Sequence, residues 1–226
     1  MGLFFGILIH LSIVVLVVGT AVRLYTYAST PAPLRIPLTP APMTTAGVVL
    51  RQLKEVLLFR TLFKSSPWTW LFGWLFHVSL GLVVLRHIRY AFDTLPHWAT
   101  LLDPIYPYAS IVMVIALMGL WARRLFVDRV RYISALSDHL MLILLLLIGI
   151  SGVLMKSVGE RDLVPFKHYL VSIFTTNWLP LNVDFWLLLH LSLVLLLMLI
   201  FPFSKLLHAP GVFFAPSRYQ SDKQGN

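Results

Sequence analysis

Five apolar stretches decide what this chain can fold into. They lie near residues 3–26, 68–91, 104–126, 136–156 and 183–204. A hydrocarbon core of about 30 Å takes roughly 20 helical residues to cross. In lipid every backbone N–H and C=O must be satisfied internally, and a helix does this within one segment. Only 12% of the 226 residues are charged, where a soluble chain carries about 25%. The sequence therefore predicts an all-α integral membrane protein, a five-helix bundle forming a single domain over 1–226. The first stretch follows Met1 without a basic leader or a small-residue cleavage site, so it reads as a retained helix.

Charge then sets the orientation. Arg23, Arg35, Arg51, Lys54, Arg60, Lys64, Arg123, Arg124, Arg129, Arg131, Lys205, Arg218 and Lys223 fall on one side of the five spans. Arg86, Arg89, Lys156, Arg161 and Lys167 fall on the other. The count is 13 against 5. Cytoplasmic loops are the Lys/Arg-rich ones, so the N-terminus is expected outside and the C-terminus in the cytoplasm of a bacterial inner membrane. The net charge of +9 is accounted for by these loops, and no nucleic-acid partner is expected.

The first cytoplasmic connection opens with the Pro-rich run STPAPLRIPLTPAPM, which is no regular helix. The segment 47–64 follows, with Val49, Leu53, Val56 and Leu57 on one face. It reads as an amphipathic helix on the inner membrane surface, serving as a lipid anchor or as a platform for a cytoplasmic partner. The outer connection between Lys156 and Asn182 is expected to hold a short interfacial helix, with Tyr169 and Trp178 at headgroup level.

Four histidines stand out against this background, because an imidazole in lipid is costly unless it is paired or ligating. His77 and His87 lie ten residues apart on the second span. In a helix that is about 15 Å along the axis and roughly 80° around it. His190 and His208 lie eighteen residues apart at the end of the fifth span. Eighteen helical steps return to the same face, roughly 27 Å along. Pro202, which kinks or ends a helix, absorbs part of the mismatch. The two spans run in opposite directions, so the consistent pairs are His77 with His208, toward the inside, and His87 with His190, toward the outside. Each pair has the make-up of two axial ligands to one haem iron. The chain has no cysteine, which excludes disulfides, zinc–thiolate sites, iron–sulfur ligation by this chain and covalent haem. Two haems b, one above the other, follow as the expected cofactors. Gly73 and Gly81 leave gaps in the side-chain layer of the second span. His10 and His139 read as interior polar contacts, and His97 and His168 as outer-loop residues.

The spacings of ten and eighteen, with FPFSKLLH ending in the last histidine, resemble the gamma subunit of respiratory nitrate reductase. The continuation HAPGVFFAPSRY is similar to a sister branch. That branch includes DsrM, the cytochrome b subunit of the membrane complex associated with dissimilatory sulfite reductase, and the membrane subunit of heterodisulfide reductase. The resemblance spans all five helices. It implies a diheme, quinone-reactive subunit of an oxidoreductase complex, with menaquinone or ubiquinone as the membrane substrate. The implied partner is a cytoplasmic iron–sulfur subunit similar to the heterodisulfide reductase catalytic subunit, accompanied by further membrane and periplasmic subunits. Its implied substrate is the sulfur-carrier protein DsrC. The resemblance assigns the axial ligands to His77, His87, His190 and His208; the family's quinone-site lysine has no clear counterpart here.

Haem propionates need cationic partners, for which Arg86, Arg89, Arg123, Arg124 and Lys205 lie at suitable depths. Snorkelling to the interface is the competing role for each. Asp93, His97, Tyr106 and Lys156 lie at the depth of an outer quinone. Other readings stay open: a gamma subunit serving a nitrate reductase, a transporter with histidine relays, or a cofactor-free anchor. A transporter usually carries mid-membrane acids, and the centres of the five spans have none.

Overall fold

A computed structural model describes residues 1–34, 36–90, 97–158, 163–175 and 178–222. Asp93, and Arg35, Arg161 and Lys223 of the charge count, lie outside the described residues. Among the described residues there are helices and turns but no strand. The elements are α1 (Gly2–Ser29), α2 (Thr45–Leu58), α3 (Arg60–Ser65), α4 (Pro67–His87), α5 (His97–Thr100), α6 (Tyr106–Phe126), α7 (Asp128–Ile133), α8 (Leu136–Ser157), α9 (Val164–Ser172) and α10 (Phe185–Ile200). A 3-10 turn, Ile88–Tyr90, extends α4. Among the described residues, five helices are long and apolar enough to cross a membrane: α1, α4 with its extension, α6, α8 and α10 with the turn that follows it. The chain is a multi-pass membrane protein.

Local chemistry sets the helix ends. Proline occupies the first turn of α4, α6 and α9, where its missing N–H costs nothing. The carboxylate of Asp138 accepts from the Ala135 N–H at 3.1 Å, and Asp184 accepts from the Leu187 N–H at 2.9 Å. Both give a helix start an acceptor it would otherwise lack. α10 stops at Ile200 because Pro202 has no N–H to offer the carbonyl four residues back. The last segment, Lys205–Tyr219, is a series of single turns.

The chain divides into two compact units. The first comprises 1–9 and 66–195. Its centre is α4, α6 and α8, with Phe76, Met113, Ala116, Leu117 and Leu146 buried together. Glycines let these helices approach closely. A Cβ on Gly119 would lie 2.6 Å from the Phe72 ring, and one on Gly149 would lie 2.9 Å from Val114. The connection expected on the outer side does contain a helix, α9. Its Tyr169 is buried and donates to the Gly2 carbonyl at 2.7 Å. Burial raises the phenol above its ordinary pKa, so it remains a donor.

The second unit comprises 10–65 and 196–226. Here the segment expected as one amphipathic helix is two, α2 and α3. The break is at Phe59, whose φ of 49° lies in the left-handed region and whose N–H closes on the Glu55 carbonyl. Glu55 then accepts from the N–H and hydroxyl of Thr61 at 3.1 and 2.6 Å, which starts α3. The Pro-rich connection is held by the tail. The Leu38 N–H donates to Ser217 and the Asp222 N–H to Pro42, both at 2.9 Å. Gln220 bonds Ile36 and Leu34, and Arg218 pairs with Glu55 at 3.7 Å.

Candidate functional site

The histidines on α4 are oriented by their own helix. The Nδ1 of His77 lies 2.7 Å from the Gly73 carbonyl, and that of His87 lies 2.7 Å from the Val83 carbonyl, each one turn back. A carbonyl only accepts, so Nδ1 carries the proton and the lone pair is left on Nε2. The His208 Nδ1 lies 3.0 Å from the Lys205 carbonyl, and the same argument applies.

His190 reaches the same tautomer through a side chain. Its Nδ1 lies 3.0 Å from the Ser151 hydroxyl on α8. That hydroxyl has one proton and donates it to the Ile148 carbonyl at 3.0 Å. It therefore accepts from the His190 Nδ1–H, and again Nε2 keeps the lone pair. Gly152 makes room for the ring: a Cβ there would lie 3.1 Å from His190 Cε1. Ser151 is 2% exposed, so the bond is shielded from water.

The first unit brings His87 and His190 together. Their ring centres are 6.2 Å apart and their planes differ by 22°. Two imidazoles on opposite sides of one metal, with bonds of about 2.0 Å and ring centres about 1.1 Å behind each nitrogen, have centres about 6 Å apart. The observed separation of the ring centres is close to that distance. Among the described residues no group of three or more His, Cys, Asp or Glu gathers around a common point. Two nitrogens alone suit a metal that brings its own equatorial ligands, as haem iron does.

His208 does not lie on α10. The helix ends eight residues earlier and Ser204 is extended, with φ −103° and ψ 168°. The eighteen-step helical periodicity therefore does not describe His190 and His208. In the second unit, His208 and Lys205 line a largely apolar cavity of about 720 Å³, together with Tyr27, Pro31, Phe214 and Tyr219.

The candidate propionate cations fall into distinct settings. Arg89 donates to Asp103 at 2.6 Å, while its buried Nε has no hydrogen-bond partner among the described residues. Arg124 bonds the Ser134 hydroxyl at 3.0 Å and lies 3.6 Å from the buried Asp138 carboxylate, so it ties the end of α6 to the start of α8. Arg86 and Arg123 lie in the last turns of α4 and α6. Of the outer quinone candidates, Tyr106 is buried and its hydroxyl faces the Ala99 carbonyl at 3.4 Å. His97 and Lys156 are exposed. His139 accepts at Nδ1 from the Trp121 indole N–H at 3.3 Å. Ser151 and Gly152 escaped the sequence reading. Their trace is the small-residue run GISG in an otherwise leucine-rich span.

Residues 68–224 match the family described as the nitrate reductase gamma subunit. The chain is 34% identical over 263 aligned residues to a protein of Archaeoglobus fulgidus named Hdr-like menaquinol oxidoreductase cytochrome b-like subunit, covering 96% of this chain and 79% of that one. A protein of the same name from Archaeoglobus profundus is 29% identical over 255 residues, covering 92% and 76%.

Proposed function

Because the chain belongs to the nitrate reductase gamma-subunit family, we propose that it is the cytochrome b subunit of a quinone-linked membrane oxidoreductase. His87 and His190 hold one haem b. His77 and His208 are assigned a second one, and that pairing rests on sequence spacing and helix direction alone. The observation that carries the reading is the His87–His190 separation of 6.2 Å with both Nδ1 positions already engaged.

When bound, haem b supplies a site that takes up and gives back one electron at a time. The remaining chemistry belongs to the chain. As neutral rings the four imidazoles present Nε2, because each Nδ1 proton is directed to a carbonyl or a hydroxyl. The Arg89 Nε, two residues from His87, buried and without a hydrogen-bond partner among the described residues, is a donor suited to a propionate. On the side assigned as outer, the exposed His97 is the candidate to take a proton from a quinol, and the exposed Lys156, a cation, the candidate to donate a hydrogen bond to it. Proton release outside and electron delivery inside would then be separated across the membrane.

The substrate proposed is menaquinol, in keeping with the names of both Archaeoglobus relatives. The partner proposed is a cytoplasmic iron–sulfur subunit of the heterodisulfide reductase type, within dissimilatory sulfur metabolism. The Hdr-like naming of those relatives and the run HAPGVFFAPSRY support it. A nitrate reductase partner has less support, since neither relative carries that name. The test is a dithionite-reduced minus oxidised spectrum of the purified complex, with a pyridine haemochrome count. Two haems b per chain, reduced by menaquinol, is the expected result. A preparation without haem, not stripped by detergent, would sink the reading.

A further inference from the structure

We propose that Ser151 is a positioning residue that sets the tautomer and donor strength of His190, and through it the redox potential of the haem held there. This rests on the cytochrome reading above. Three of the four histidines have a backbone carbonyl beside Nδ1: Gly73, Val83 and Lys205. No side-chain substitution removes such an acceptor. His190 differs, because a side-chain hydroxyl stands beside its Nδ1 at 3.0 Å.

A bond from Nδ1–H to an acceptor raises the basicity of Nε2 and so favours the oxidised metal. A hydroxyl already donating to a carbonyl is polarised toward accepting, which strengthens its hold on the imidazole proton. The chain Ile148 carbonyl, Ser151 hydroxyl, His190 Nδ1 is thus directional, and it ends at the ligating nitrogen. Gly152, the next residue, leaves the space that keeps the ring in line with it. The Ile148 carbonyl also interacts with the His190 imidazole, and it is the competing acceptor.

The experiment compares the purified complex carrying wild-type chain, Ser151→Ala and Ser151→Thr. Haem is counted by pyridine haemochrome and each component is titrated potentiometrically. In Ser151→Ala, one of two midpoints moves upward and the other stays. That haem is also held more weakly, on the order of 10- to 100-fold, as for other lost partners of metal-bound histidines. Ser151→Thr, which keeps the hydroxyl, restores both properties. If the alanine variant does not assemble, Ser151→Cys removes most of the acceptor strength at nearly the same volume and gives the same readout. Midpoints unmoved or lowered, with both haems present, would overturn the proposal, because the Ile148 carbonyl would then be the operative acceptor. Two midpoints moving equally would overturn it as well. A wild-type complex without haem b would fail the parent reading instead, so the two failures are distinguishable.

Discussion

At the scale of single residues, Nδ1, the nitrogen turned away from the proposed metal, is where this chain governs its histidines. Neutral imidazole has two tautomers, and only one leaves Nε2 to ligate. A hydrogen bond at Nδ1 selects it before any cofactor arrives. Space is the second requirement, and at His190 it comes from Gly152. A graded prediction follows from the 3.1 Å between a Cβ at this position and His190 Cε1. In Gly152→Ala the ring has to yield by a few tenths of an ångström, and both haems are expected to remain. In Gly152→Val the added methyls displace the ring from Ser151 and His87 together, and the haemochrome count is expected to fall from two to one. A count of two in the valine variant would show that the ring is not seated against this glycine.

At the scale of elements, the spans were legible because lipid leaves so few solutions. Apolar length alone marks a crossing. What was not legible depends on contacts distant in sequence. Phe59 breaks the amphipathic segment because Glu55 caps one helix end with its backbone and starts the next with its side chain; no periodicity reports that. His208 falls beyond the helix because Pro202 ends α10 rather than bending it. Close packing is a third case. Gly119 is one glycine among many in sequence, yet a Cβ there would lie 2.6 Å from the Phe72 ring. Gly119→Ala is therefore expected to destabilise the α4–α6 contact by about 1–3 kcal/mol, the usual cost of overpacking. Adding Phe72→Leu should recover part of the loss. The check is the thermal midpoint of the purified protein in one detergent. Equal midpoints for Gly119→Ala and wild type would mean the helices lie further apart than described.

At the scale of the whole molecule, the charge asymmetry was readable in the sequence, whereas the hydroxyl that holds His190 was not. Ser151 and His190 are 39 residues apart and on different helices, so only the packed bundle brings them together. Orientation decides what the rest can mean. By the positive-inside rule, the 13-to-5 distribution of Lys and Arg predicts α2, α3 and the tail on the cytoplasmic side, where the proposed iron–sulfur partner would dock. The same rule predicts the far ends of α4 and α8 outside, where quinol protons would leave. The absence of cysteine from the sequence makes this directly testable. Ser65 ends α3 and Ser157 ends α8, and both are exposed. With a membrane-impermeant maleimide on intact spheroplasts, Ser157→Cys is expected to label at once and Ser65→Cys only after lysis. The reverse pattern would turn the molecule over. Electrons would then leave on the side away from the cytoplasm, and no cytoplasmic partner could receive them from the haem assigned to His77 and His208.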